Sequence, residues 1–284
     1  SRRSPWQHPA RPFQRLKTET MMNILRRITL WQKFAVLGLI ALVMASIPLV
    51  QVVMYKSGEL AVAQAEDAGL DPVRTLVALQ KNLQAHRGLA AMVLSGNSTV
   101  DGERRARQVD VNTQFTALDK QLTTLGYTKA ADPAKAMKTG WDQLSQKVDA
   151  RSINAKDSFE AHTALVEQNI AVIEIVADAS GLSLDPVAES YYVMTAVVDH
   201  LPRLAEAIEV LRTSGIDALT NKDTTPTTRA NLVHLSHAVH VAQGRAGNQL
   251  AKASEIDTHV AQALGSGAKA AEVAADALHE AGEE

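Results

Sequence analysis

The sequence contains no cysteine, and aromatic residues make up only 4% of its 284 positions. Without cysteine there is no disulfide scaffold, no thiol nucleophile and no Cys-ligated zinc or iron–sulfur centre. Scarce aromatics, and no periodic β-branched runs, argue against a sandwich or barrel, whose strands are built from such residues. Also missing are a hydrolase nucleophile elbow, a phosphate-binding glycine loop, a zinc-protease motif and a paired-carboxylate signature. The chain therefore reads as a non-enzyme with no cofactor. What dominates instead is Ala, Leu, Gln, Glu, Lys and Arg, a helix-forming composition.

Charge of either sign is absent from residues 34–54, FAVLGLIALVMASIPLVQVVM. A helix of that length spans about 30 Å, the thickness of a bilayer core. Trp31 and Tyr55 stand at its ends, where amphipathic rings favour the headgroup region. Pro48 is tolerable, because membrane helices absorb such breaks. A cleaved signal peptide has an apolar core of only about 7–15 residues and a small-residue cleavage site after it; this run is longer and no such site follows. It reads as an uncleaved transmembrane helix in contact with lipid.

The net charge of −2 divides at this segment. Residues 1–33 carry eight Lys/Arg and one acid, a balance of +7; from Tyr55 onward 21 basic residues face 30 acidic ones, a balance of −9. By the positive-inside rule the basic 1–33 segment is cytoplasmic. Residues 55–284 are then expected in the periplasm, the chain crossing the inner membrane once. An acidic outer region has no electrostatic footprint for nucleic acid. Met21-Met22 before Asn-Ile-Leu-Arg-Arg fits a natural start, which would make residues 1–20 a non-native extension. The Ala-rich end at Glu283-Glu284 reads as a truncation.

Helix starts are marked by Asp71-Pro72, Asp132-Pro133, Asp185-Pro186 and Thr225-Pro226. Each places a capping oxygen before a proline, which loses no hydrogen bond in the first helical turn. Gly69, Gly126 and Gly181 precede three of these pairs as helix terminators, and Asp157 with Glu160 has capping-box spacing. The expected helices cover 31–67, 72–95, 102–125, 133–150, 157–180, 186–214 and 226–281. Short connections between long helices imply antiparallel neighbours. The fold class is all-α, an elongated antiparallel bundle of one or two stacked four-helix modules continuous with the transmembrane helix. The last helix is expected to lead back towards the membrane. Apolar stripes run through Leu76, Gln80, Leu83, Arg87, Ala90 and Leu94; through Val197, Leu201, Leu204, Ile208, Leu211 and Gly215; and through Leu232, Leu235, Val239, Ala242, Ala246, Leu250 and Ala253, at the spacing of left-handed helix pairs.

Arg87 is the residue that breaks this pattern. It shares a stripe with Leu83, Ala90 and Leu94 and so faces inward, where a guanidinium needs either a carboxylate or an anionic ligand. Gly88 beside it leaves room for a ligand or a neighbouring backbone. Arg212, before Thr213-Ser214-Gly215, is comparable, and two arginines from different helices could clamp a carboxylate or oxyanion in bidentate fashion. Tyr191, beside Tyr192, offers a phenolic hydrogen bond. The candidate ligand-binding set is therefore Arg87, Gly88, Arg212 and Tyr191, although surface charge and amphipathic packing explain Arg212 and Tyr191 more readily. His234, His237 and His240 are close enough for two to share a metal ion. They drift around the helix away from the Leu232/Leu235/Val239 seam, however, and read as a solvated polar face.

Three stretches resemble the sensory half of bacterial methyl-accepting chemotaxis proteins. They are Leu25-Arg26-Arg27 through Trp31-Gln32-Lys33-Phe34; Gln84-Ala85-His86-Arg87-Gly88-Leu89; and Ala179-Ser180-Gly181-Leu182-Ser183-Leu184-Asp185-Pro186 through Glu189-Ser190-Tyr191-Tyr192 to Leu201-Pro202. Similar segments occur in membrane sensor histidine kinases. The resemblance covers most of 22–284, and the helical region looks like the nitrate/nitrite-sensing and helical-bimodular classes, which bind small anions. Arg87-Gly88 matches an Arg-Gly pair of the nitrate-sensing anion site; Arg212-Thr213 departs from the second arginine's pattern. The resemblance implies a chemotaxis receptor's ligand sensor, a homodimer binding nitrate or a carboxylate and passing helix displacement to a cytoplasmic part. That part would engage a chemotaxis kinase and adaptor, and with a second span and a HAMP relay it is expected after Glu284. A histidine-kinase sensor, or an anchored adaptor bundle with no small ligand, are the other readings.

Overall fold

The computed structural model describes residues 29–283, and among these no strand occurs. The chain divides into two compact units, residues 1–61 and 62–284. In the first, the described residues from Leu30 onward belong to helix α1 (Leu30–Leu94), and all of them are exposed. The most apolar window of α1 has a mean hydropathy of 2.5, with none of it buried, so the helix is long and apolar enough to cross a membrane. Most of the basic cluster, residues 1–28, lies outside the described residues.

The second unit begins with an antiparallel four-helix arrangement. The remainder of α1 is followed by α2 (Asp101–Leu125), α3 (Thr128–Asp149) and α4 (Ala155–Ser180). Cross-helix bonds set their register. Trp141 Nε1 donates to Asn112 Oδ1 at 2.8 Å between α3 and α2. Asn169 Nδ2 donates to the Leu76 carbonyl at 3.0 Å between α4 and α1. Leu76, Leu79 and Leu83 of α1 meet Val111, Phe115 and Leu118 of α2, Met137 and Trp141 of α3, and Val166, Ile170 and Ile173 of α4 in one core. Full burial of one such aliphatic side chain stabilises by about 1.5–3 kcal/mol.

The chain then continues as α5 (Ala188–Thr195), a π-helical turn (Ala196–His200), α6 (Leu201–Asn221), α7 (Pro226–Ile256) and α8 (Thr258–Glu283). Helix α6 runs in the same direction as α1, as the bonds from Gln80 Nε2 to the Pro202 carbonyl (2.7 Å) and from Gln84 Nε2 to Glu206 Oε2 (2.8 Å) show. It opposes α4, to which Arg203 reaches back to pair with Glu174. Buried hydrophobic residues are sparser and smaller here, among them Ala196, Val198, Leu211, Ala218, Val239, Ala246 and Ala253.

Several expected boundaries move. No helix starts at Asp71-Pro72; α1 runs through it, and Pro72 is buried. Gly69 does not terminate a helix but admits one, since a Cβ there would stand 2.3 Å from Ser180 Cβ. Helix α3 begins at Thr128, placing Pro133 inside it, and α4 is capped by Asn154, whose side chain accepts from the Asp157 amide at 2.8 Å. Asp185 accepts from the Val187 amide, so α5 starts two residues beyond Pro186. The expected helix 186–214 is interrupted by the π-turn just before Pro202, whose missing N–H favours such a bulge. The expected helix 226–281 breaks at Asp257, whose carboxylate takes the His259 amide. Helix α8, kinked at Gly265, folds back along α7 and is tied to it by Gln243 Nε2 to Asp276 Oδ1 at 2.7 Å. The terminators Gly126 and Gly181 adopt φ of 70° and 89°, and Thr225 caps α7 with Pro226 at its first position.

Candidate functional site

Arg87 is 1% exposed and Glu206 4%. The helical period turns Arg87 into the bundle, and α6 supplies the acid it meets. Arg87 Nη1 donates to Glu206 Oε1 at 2.6 Å and Nη2 to Oε2 at 3.2 Å, a bidentate fork. Nη1 also donates to Thr163 Oγ1 of α4 at 2.8 Å, and the guanidinium carbon lies 4.8 Å from the centre of the Phe159 ring. Gln84, one turn before Arg87, adds its donor to the same carboxylate. The result is a planar oxyanion held by three N–H groups in a site lined on one side by an aromatic face. Of the two partners open to a buried Arg87, a carboxylate or an anionic ligand, the one in place is a carboxylate of the same chain.

Of the other candidates, Gly88 and Arg212 come together. Arg212 Nη2 lies 3.7 Å from where a Gly88 Cβ would stand. Arg212 is the more accessible arginine, its side chain 47% exposed, and it too is paired with a carboxylate of α6, Nη2 donating to Glu209 Oε2 at 2.7 Å. Tyr191 does not join them. It is 40% exposed on α5, set edge-on to Tyr192 with ring centres 5.5 Å apart. Fifteen residues of helical chain separate it from Glu206, on the order of 20 Å. The expected grouping is corrected accordingly. His234, His237 and His240 lie on the exposed face of α7, and among the described residues no cluster of metal-ligating side chains forms.

A second buried network begins at the residue before Arg87. His162 Nδ1 donates to the Ser158 carbonyl at 2.6 Å, which leaves Nε2 to accept from His86 Nδ1 at 2.8 Å. His86 Nε2 in turn accepts from Arg104 Nη1 at 3.2 Å. These partners define both tautomers and leave both rings neutral. Burial pushes His86 down to about 2, with His162 and the Arg104 cation adding to it. Burial likewise pushes His162 down to about 4, against the raising effect of the Ser158 carbonyl. Arg104, fully buried, is anchored by Asp101 at 2.7 Å and Asp149 at 2.8 Å. Trp141 closes the network, its ring edge-on to His86 at 4.8 Å.

The sequence reading missed Glu206, Gln84, Thr163 and this histidine–arginine network. A signal existed for Arg104: it lies in heptad phase with Val111, Phe115, Leu118 and Leu122, all buried. For Glu206 the signal was misleading. The π-turn adds a residue to its turn, so the stripe expected through Val197, Leu201 and Leu204 slips: Leu201 is exposed and Leu204 half-buried, while Pro202 and Glu206 are buried.

Two surface hollows lie between α2 and α3, around Phe115 and Lys138, and between α3 and α4, around Gly140 and Gln168; neither includes Arg87 or Arg212. No curated protein and no solved structure matches the chain. A family model described as nitrate and nitrite sensing does match, across residues 78–283, which takes in all of the Arg87, Glu206 and Arg212 surroundings. Helical through its described residues and matched by this model over most of its length, the chain belongs to the nitrate and nitrite sensing family.

Proposed function

We propose that this chain is the extracytoplasmic sensor region of a transmembrane chemotaxis receptor, responding to nitrate or nitrite at Arg87 and Gly88, with Arg212 at its edge. The observation that carries the reading is the buried Arg87 fork, already shaped around a planar oxyanion by Gln84 and Thr163. The family supports the ligand class. A ligand shifts a helical bundle only through unequal affinity for its two arrangements. Here the element to be shifted is α6, which touches α1 through the ligand-site residues themselves. In this reading the receptor works as a homodimer in the inner membrane, residues after 55 are periplasmic, and helix displacement passes to a cytoplasmic signalling part acting on a chemotaxis kinase and adaptor.

Calorimetric titration of the full chain in lipid nanodiscs with nitrate, nitrite, acetate and sulfate tests the ligand. Binding of nitrate or nitrite that is lost in Arg87→Lys, which keeps the charge but not the fork, is the expected result. Equal binding by that variant would remove Arg87 from the site. Taxis of cells towards nitrate, lost when the parent gene is deleted, tests the output; unchanged taxis with altered phosphorylation of a response regulator would make the parent a sensor kinase instead.

A further inference from the structure

We propose that Glu206 is a built-in competitor of the ligand: its carboxylate fills the Arg87 fork as an internal planar oxyanion, and nitrate binds by displacing it. The proposal rests on the anion-sensing reading of the site and adds what sets its affinity and how occupancy reaches α6.

The geometry is that of an occupied ligand site. Both oxygens of Glu206 are taken, one by Arg87 Nη1 at 2.6 Å, the other by Arg87 Nη2 at 3.2 Å and Gln84 Nε2 at 2.8 Å. Nitrate presents the same planar pair of oxygens, so the same three N–H groups suit it without rearrangement. It cannot share them with Glu206, because two anions on one buried guanidinium leave one charge uncompensated. Arg212, the second arginine beside Gly88, is more exposed and is also paired with a carboxylate, Glu209, three residues before it on α6. Each arginine of the candidate site is therefore neutralised by a carboxylate of one helix.

Displacement has a mechanical consequence. The Glu206 carboxylate receives two of the polar ties from α1 to α6, through Arg87 and Gln84; the Gln80 bond to the Pro202 carbonyl is another. Nitrate in the fork removes the Glu206 ties and leaves α6 held beside the π-turn Ala196–His200. Competition thus lowers the apparent affinity by the fraction of sites free of Glu206, and the same step releases α6. Binding and signal share one bond exchange.

The test uses the full chain in lipid nanodiscs at fixed ionic strength: nitrate calorimetry on the wild type, Glu206→Gln and Arg87→Lys, and thermal melts of the wild type and Glu206→Ala in chloride, nitrate or acetate. Glu206→Gln should bind nitrate at least about ten-fold more tightly than the wild type, and Arg87→Lys should lose binding. Glu206→Ala should melt below the wild type in chloride and be raised by nitrate or acetate, which refill the vacated fork, while the wild type moves less. If Glu206→Ala folds only in nitrate or acetate, that is the same result in stronger form. If Glu206→Gln binds no more tightly and neither anion raises Glu206→Ala, although Arg87→Lys still abolishes wild-type binding, the competitor role is overturned and the anion site stands. If no variant binds nitrate, or Arg87→Lys binds it like the wild type, the site reading itself fails and the competitor role with it.

Discussion

His86 Nδ1 donates to His162 Nε2 at 2.8 Å, and the next residue on each helix repeats the pairing, Arg87 Nη1 donating to Thr163 Oγ1 at 2.8 Å. Two consecutive residues of α1 are thus matched to two consecutive residues of α4, through one buried and one part-buried polar bond. A slip of either helix breaks both at once. The anion fork of Arg87 therefore sits against a seam whose register is held by neutral histidines, and the condition for that seam is that the histidines stay neutral.

That condition makes stability fall in acid. Both rings are held below their ordinary value of 6.5, His86 at about 2 and His162 at about 4. Below about pH 6.5 the unfolded chain takes up protons that the folded chain refuses, so stability drops as pH falls towards 4, and for His86 on towards 2. The slope approaches about 1.4 kcal/mol per pH unit for each ring. Thermal unfolding followed by circular dichroism from about pH 7 to about pH 5 should show the wild type losing more stability than a His86→Asn/His162→Gln double variant. Parallel pH profiles would mean that the rings titrate normally.

Removing one member of the Arg87–Glu206 pair should be costly, and removing both should not. Arg87→Ala leaves Glu206 buried with Gln84 as its remaining donor, a loss of about 3–5 kcal/mol. Arg87→Leu with Glu206→Leu removes both charges and should melt close to the wild type, while losing nitrate binding. A double variant as unstable as the single would show that the pair's hydrogen bonds, rather than the stranded charge, carry the effect.

Gly69→Ala should destabilise by about 1–3 kcal/mol through overpacking. Its Cβ would meet Ser180 Cβ at 2.3 Å, and neither atom can rotate away, so α1 and α4 must separate. Gly102→Ala, where nothing lies within 4 Å, is the matching control and should be neutral or slightly stabilising. Equal melting temperatures for the two variants would refute the close approach.

The absence of cysteine makes orientation simple to read. Lys120→Cys, on the exposed face of α2, should be labelled by a membrane-impermeant maleimide after outer-membrane permeabilisation, with the inner membrane intact. Labelling only after the inner membrane is broken would place residues after 55 in the cytoplasm.

The sequence was most legible where backbone geometry is local. The all-α class, the uncharged 34–54 segment, the ends at Gly126 and Gly181 and the Thr225 cap follow from propensity, hydropathy and φ preference. So does the inward face of Arg87, because a helix turns every residue by the same angle. Asp71-Pro72 shows the limit of such local signals: a capping oxygen before proline also fits inside a helix when packing holds it there, and Gly69 serves contact with Ser180 instead of termination.

Which acid meets Arg87 is a different kind of fact. It depends on α6 lying beside α1 in the same direction and on a π-turn that rotates Glu206 inward, a phase shift invisible to a fixed period. Residues 119 positions apart in the chain meet through helix neighbourhood and register. Sequence alone therefore determined that a charge would be buried at Arg87, since period and composition are local properties. Only the tertiary structure decided that the charge is neutralised by Glu206, because a partner is chosen by packing across distant segments.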